Sequence, residues 1–559
     1  MKPLIFSFLL IVSSVIAFSQ AIPEHISNKA LYDFIDELAN EHIIDISSEA
    51  KPYSREYIAT KLNAAFQKKD KLTQRQIHIL DKYLNEFAIE LNIERESDVT
   101  IYRKDSTFLF SLFQPTLDYR DSLFRFSLRP IYGVQFYSNN NGQIRHTWGG
   151  AEVNSYIGKS WSVYASIRDN QQKGGRLSSP TYFTQSQGGV YKGVTGGGAG
   201  GEFSEMRGGI AASWNWGAVY FEKNHLMWGD NYNGANIFSG QSPSFPMLRL
   251  NLKPAKWLDF HYYHGWLNSM VVDSSRTYFP YDGSLEKSVY YNKYIAANIY
   301  TLSLLPRLNI SVGNSVIYDN DNVYAGYLIP FFFYKSVVHT QTSGLKHNHN
   351  SAMFFNVSSR QIKHLHVYGS FFIDEFSKTR IGDDERNNFT STKAGARLSN
   401  WPVKNVSLTG EYTYTYPMTY QHRTPTTTFE SNKYNLGHYL RSNARELFLA
   451  INIQPYRGLI LEVSYSKAEN GNEYPYLYGI GRVDDKPFMK DITWSNETTA
   501  VKAKYLIYNN FSIFADVYFM NIHGYDVDGI TAQQYLDMFS PKLFHGKSTT
   551  VSFGMQLGF

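Results

Sequence analysis

The chain contains no cysteine among its 559 residues. That removes disulfide frameworks, thiol catalysis, cysteine zinc sites and a lipid-attachment cysteine at once. Beyond residue 20 no run approaches the ~18 to 20 apolar residues that a spanning helix needs, so any membrane insertion must use strands. Charge is also sparse: charged residues make up 18 per cent and the formal net charge is only +5. Such a balance gives no basic field for nucleic acid, which is excluded as a partner. What the chain has instead is aromatic surface, with 43 Tyr, 38 Phe and 9 Trp amounting to 16 per cent of its residues. Disorder is incompatible with that content.

The N-terminus carries an address. Lys2 precedes an apolar core from Leu4 to Phe18, and Ala17-Phe18-Ser19 ends it on small residues before Gln20. Residues 1 to 19 read as a secretory signal peptide. Residues 22 to 95 then show helical periodicity. Leu31, Phe34, Ile35 and Leu38 form one stripe, Tyr57, Ile58, Leu62, Ala65 and Phe66 a second behind Ser54 as cap. A capping box of Thr73 and Gln76 opens a third stripe, Ile77, Leu80, Leu84, Ala88 and Leu91. The expectation is a three-helix periplasmic domain that docks a partner or caps one end of the strand domain, joined to it through a connector at 96 to 121.

From residue 122 to 559 the period changes to two. Phe124, Phe126, Leu128, Tyr132, Val134 and Phe136 alternate with Arg125, Ser127, Arg129 and Gln135, and Leu408, Tyr412 and Tyr414 alternate with Ser407, Glu411 and Thr413. A lipid-facing outside and a wet inside produce that pattern. Short turns near Lys159, Asn215, Ala255, Pro306, Lys363, Pro402, Tyr456 and Asn509 separate strands joined at the other end by long polar or Gly-rich loops. Those loops are expected near 138–147, 170–205, 224–244, 267–290, 318–350, 377–390, 417–443, 469–497 and 522–546. The count predicts a mainly β protein, an antiparallel transmembrane barrel of about 18 strands after the small N-terminal helical bundle. The last strand presents Phe553, Met555, Leu557 and Phe559 on one face. Its terminal Phe resembles the insertion signal that outer-membrane barrel-assembly machinery reads.

The segment from Trp228 to Trp266 interleaves rings with amides, carboxylates and hydroxyls: Trp228, Asp230, Asn231, Tyr232, Asn236, Ser239 and Trp266. Rings that stack on sugar faces beside groups that bond hydroxyls suit a carbohydrate groove. Trp257 and Trp266 also suit the interfacial aromatic girdle of a barrel. The leader, the helical domain, the strand number, the W-G-D-x-Y-x-G-A-N-x-F-S-G-x-x-P-S-F-P-x-L stretch from Trp228 to Leu248 and the IDEF at Ile373 to Phe376 together resemble the capsule-assembly Wzi family in its Bacteroidota form. That resemblance implies an outer-membrane barrel with a periplasmic helical part, a lectin that holds capsular polysaccharide, and outer-membrane lipid as its surroundings. Members in gliding bacteria resemble a motility-associated protein, so a structural role in a gliding or secretion machine, with other envelope proteins as partners, stands as an alternative. A diffusion porin is the third reading.

Enzyme chemistry finds no footing. His364 and His366 on one strand face, or His347 and His349 in a loop, offer two ligands each, too few for a metal site. Asp374 and Glu375 point to opposite faces of a strand, which defeats a paired acid and base. Asp383, Asp384 and Glu385 read as a solvated loop tip, and the glycines at 196 to 201 lack the setting of a phosphate loop. No enzyme, metal or cofactor is expected.

Overall fold

A computed structural model describes residues 21–93, 99–111, 116–192, 199–280, 286–341, 349–381, 383, 386–474, 476, 484–508 and 510–558. The leader, Phe559, His347, Asp384, Glu385 and Gly196 to Gly198 lie outside the described residues.

Eighteen strands close into an antiparallel ring. They are β1 Phe124–Asn139, β2 Gly142–Ile157, β3 Trp161–Lys173, β4 Gly200–Trp214, β5 Gly217–Asn224, β6 Phe245–Ala255, β7 Leu258–Val272, β8 Tyr290–Leu305 and β9 Leu308–Tyr318. There follow β10 His349–Ser359, β11 Leu365–Glu375, β12 Phe389–Ser399, β13 Val406–Thr415, β14 Ala444–Ile453, β15 Leu459–Gly471, β16 Ile492–Tyr508, β17 Phe511–Gly524 and β18 Gly546–Leu557. Val551 to Leu557 pair with Ser138 to Tyr132 and shut the ring. The alternation read from the sequence is the wall itself: Tyr132 and Phe136 stand exposed on the outside, while Ser127, Arg129 and Ile131 are buried within. An apolar outer wall over a lined interior is the arrangement of a membrane-spanning barrel.

All eight short turns fall where the sequence places them, between consecutive strands at one end of the barrel. At the other end one expectation fails. The 138–147 stretch is a hairpin, not a long loop, because β1 and β2 pair through Ser138 with Gln143 and Asn139 with Gly142. Asn141 donates its backbone N–H to the Asn139 side chain at 2.8 Å, a local bond that lets Asn residues turn the chain tightly. The connector at 96 to 121 is also more ordered than a linker. Val99–Arg103, Ser106–Ser111 and Thr116–Asp121 form a meander whose last strand pairs with Arg125 to Leu128 of β1, outside the ring. Its strands leave the ring count even.

Among the described residues four helices precede the barrel: α1 Lys29–Asn40, α2 Arg55–Phe66, α3 Gln74–Glu86 and the short α4 Ala88–Leu91. Leu31, Ile35, Leu38, Ile58, Leu62, Leu80 and Phe87 form their shared core, all fully buried. The Thr73–Gln76 capping box is formed. The third stripe is divided at Phe87, where α3 ends and α4 begins. This bundle plugs the short-turn mouth. Arg75 donates to Asn405 at 2.7 Å, Asn400 to Glu37 at 2.8 Å and Asn40 to Ser399 at 3.0 Å, tying α1 and α3 to the turn after β12.

Candidate functional site

Between α1 and α2 the chain runs up into the lumen, where Ala50 and Lys51 pair antiparallel with Trp228 and Met227. Two segments far apart in the chain thus make a short sheet inside the barrel. Gly229 adopts φ +97°, and its N–H reaches the Glu49 carbonyl at 2.7 Å. Any other residue would be strained at that left-handed position.

The 228–248 segment fills one side of the lumen. Trp228 is 2 per cent exposed, edge-on to Phe238 at 5.3 Å and Tyr263 at 5.4 Å. These rings join Met247, Ile295, Phe354 and Phe372 in an apolar core against β6 to β11. Polar residues of the segment are bonded to the wall, to the N-terminal segment and to the loop after β13. Asp230 accepts from Asn356 at 2.7 Å, and the Ser48 hydroxyl and the Asp230 carboxylate are also bonded. Asn236 donates to the Ser391 carbonyl at 3.1 Å and accepts from Ser370, while Ser239 bonds the Leu436 carbonyl at 3.3 Å. Trp266 lies on the opposite, outer face of β7, edge-on to the exposed Phe221 at 6.3 Å, and is not brought together with the others. Val551, Phe553 and Met555 likewise face outward and are exposed; the Phe553 ring stacks on Phe136 at 5.3 Å.

Asn231 and Tyr232 differ from their neighbours. They border a cavity of about 600 Å³ between the N-terminal segment and the wall of β1 to β3 and β13 to β18. The Tyr232 ring carries the Arg397 guanidinium 4.4 Å above it, and its hydroxyl lies 3.0 Å from His366 Nδ1. Glu411 accepts the backbone N–H groups of Tyr232 at 2.7 Å and Asn233 at 3.0 Å, and its charge is answered by Lys393 at 2.8 Å. The loop is thereby clamped with its ring at the cavity edge. Across the cavity Trp148 lies flat over Gly133, where a Cβ would collide with the ring at 2.0 Å. Its buried Nε1 finds no acceptor among the described residues. Paired charges complete the lining: Arg397 with Asp33 at 2.9 Å and Lys502 with Glu462 at 2.8 Å.

The sequence reading missed Trp148, Arg397, Glu411 and Arg360. Arg360 joins plug to wall, donating to Asp36 at 3.0 Å, Asn40 at 2.8 Å and Ser48 at 2.9 Å. Its partners lie in the distant N-terminal segment, so spacing carries no trace of them. His364 and His366 do not share a strand face. His364 sits in the turn before β11 at φ +72°, bonded to the Ser399 carbonyl at 2.9 Å, whereas His366 faces the lumen and is 1 per cent exposed. His349 bonds Tyr327 at 3.1 Å. Asp374 turns inward to the Tyr420 N–H at 2.8 Å and Glu375 outward to Arg380 at 2.7 Å, the opposite faces expected. Asp383 pairs with Arg386.

A second inward cluster joins His25, Glu205 and His225. Glu205 Oε1 lies 3.0 Å from His25 Nε2 and 3.2 Å from His225 Nε2, and Oε2 accepts from Arg168 at 2.7 Å. Burial, reinforced by the nearby Arg207, holds the His25 imidazole well below its ordinary pKa, so it is a neutral donor. Gln187 lies 2.7 Å from His225 Nε2 and the Ser242 carbonyl 3.1 Å from its Nδ1. With both carboxylate oxygens already used, the cluster acts as a staple of N-terminal segment, wall and luminal loop.

No protein-family model matches the sequence. No curated protein matches it either. Among solved structures the chain is similar to Wzi, an outer membrane protein involved in group 1 capsule assembly in Escherichia coli, described as a carbohydrate-binding β-barrel. The identity is 10 per cent, the TM-score 0.56, and the match covers 97 per cent of this chain and 100 per cent of that one. OccD3 of Pseudomonas aeruginosa matches at TM-score 0.42 and 10 per cent identity over 77 per cent of this chain and 90 per cent of its own. OccAB2 of Acinetobacter baumannii matches at TM-score 0.42 and 8 per cent identity over 77 and 97 per cent. A closed antiparallel barrel of 18 strands with helices before it is therefore a Wzi-like fold.

Proposed function

We propose that the chain is a non-enzymatic outer-membrane barrel that binds surface polysaccharide and assists capsule assembly or retention, its helical bundle on the periplasmic side. The observation that carries this reading is the cavity beside Tyr232 and Trp148, an aromatic-edged space lined by paired charges next to the apolar core around Trp228. A pocket of that size suits one or two sugar rings. Rings supply stacking, and the clamped Asn231 and Tyr232 loop a fixed geometry. The whole-length likeness to a carbohydrate-binding barrel points the same way. The reading also takes the Phe553 to Phe559 strand as the signal for the barrel-assembly machinery.

Binding of the cell's own polysaccharide to the purified barrel tests the proposal. Tyr232→Ala should weaken it by ~1 to 3 kcal/mol, with base stacking as the nearest magnitude, or about tenfold in affinity. Trp266→Ala should leave it unchanged. Equal losses in both variants would sink the site.

A role in a gliding or secretion machine draws on a different observation. The meander beside β1 ends in Val99–Arg103, an edge strand with Val99, Ile101 and Tyr102 exposed, the kind of edge an envelope partner could extend. Pull-downs in mild detergent separate the two readings, because a lectin purifies alone.

A further inference from the structure

The connection after β9 does not project away from the barrel. Residues 319 to 337 fold down over the outer wall of β7 to β9, packing Tyr327, Tyr334 and Val337 against Phe260, Tyr262, Tyr294, Ala296 and Val316. Register places the wall residues of this contact outside: Tyr263, Ile295 and Ile317 of the same strands face the lumen core, and their alternates face away. The long connection expected at 318–350 is present between Tyr318 and His349, but this part of it is apolar rather than polar.

A bare lipid-facing wall should be apolar, yet this one carries Asn298 and Asn314 in mid-strand, 0 and 7 per cent exposed. Their purpose is visible in the bonds. Asn298 donates to the Pro330 carbonyl at 2.8 Å and the Phe332 carbonyl at 2.9 Å, and Tyr300 donates to the Phe331 carbonyl at 3.1 Å. Asn314 accepts the Tyr334 N–H at 2.9 Å and donates to Asn298 at 2.7 Å, while Tyr262 donates to the Tyr327 carbonyl at 2.9 Å. Phe331 stacks on Phe260 at 4.8 Å, close to the short-turn end of the strand.

Irregular backbone is excluded from hydrocarbon because its polar groups find no partners there. Here the wall supplies them. The side turned away from the wall presents Leu328, Ile329, Phe332 and Phe333, each 41 to 42 per cent exposed, beside a wall whose outward residues Ile310, Val312 and Leu304 are also exposed. We propose that residues 323 to 337 are a membrane-immersed strap, clasped to the barrel by Asn298, Asn314, Tyr262 and Tyr300, whose partner is the acyl-chain layer of the bilayer. Continuity with the apolar wall selects lipid, since both surfaces meet the same surroundings. The inference rests on the barrel being membrane-inserted and is independent of any sugar site.

The cysteine-free chain allows a direct test. Phe332→Cys, spin-labelled in dioleoylphosphatidylcholine vesicles, is compared with Val312→Cys on the bare wall and Gln533→Cys on an exposed loop helix. The strap requires oxygen accessibility at Phe332 to match Val312 and to exceed accessibility to a water-soluble nickel relaxant several-fold. Nickel access at the Gln533 level, with Val312 still lipid-like, overturns the strap, and low access to both reagents places protein over it and overturns the lipid partner. Nickel access at Val312 as well fails the membrane reading itself. Asn298→Ala with Asn314→Ala should release the strap, moving the Phe332 label toward the aqueous value while the barrel keeps its resistance to unfolding in dodecyl sulfate.

Discussion

Trp228 and Tyr232 stand four positions apart in one segment and answer to different physics. Trp228→Ala empties a fully packed site and should cost ~3 to 5 kcal/mol of stability, read as a lower temperature of heat-induced mobility change on gels. Tyr232→Ala should lower that temperature less, since the ring edges a cavity and gives up its contacts with Arg397 and His366 without emptying a packed core. From the sequence the two were indistinguishable, because an Asp, Asn or Ser that bonds a strand carbonyl looks the same as one that bonds a sugar hydroxyl. Glu49 was not legible at all. Burial, then the neighbouring Asp259 and Asp230, push its carboxyl up to about 8. The folded value lies above the ordinary one, so its contribution to stability is complete below about pH 4.5 and lost as pH rises through about 8. Glu49→Gln should abolish that loss. Melting in detergent at about pH 6 and about pH 9 checks it: the wild type should fall further at the higher pH than the variant does.

Among elements, the strands declared themselves and the fillings did not. Outward residues of β1, β13 and β18 obey a period of two because lipid selects them one face at a time. The outer strap obeys no period, since each of its residues meets a different part of a curved wall, and its Phe331 to Phe333 run therefore read as loop. The plug is held by contacts between distant parts of the chain, which sequence spacing cannot show. Arg360 is its densest joint with the wall, and Arg360→Met leaves Asp36 buried without its cation. Breaking a buried pair this way costs ~3 to 5 kcal/mol. The expected outcome is a folded barrel whose 41–54 segment becomes sensitive to protease; unchanged protection would show that the staple at His25 and the α3 contacts hold the plug without Arg360.

At the scale of the whole molecule, the strand count, the turn positions and the even ring were present in the sequence, while the state of the lumen was not. The bundle occupies the short-turn mouth, the Trp228 core fills one flank, and Phe183, Trp494, Tyr535 and Phe539 gather the long loops at the other end. Such a lumen should show no steady conductance in planar bilayers, and a sustained open pore would favour the porin reading. The most direct measurement of the central claim is titration of the purified full-length barrel with polysaccharide released from its own cells, beside Tyr232→Ala and Trp266→Ala. Saturable binding by the wild type, weakened about tenfold by Tyr232→Ala and unchanged by Trp266→Ala while both variants stay folded, is the predicted result; no binding by the wild type, or equal binding by all three, would contradict it.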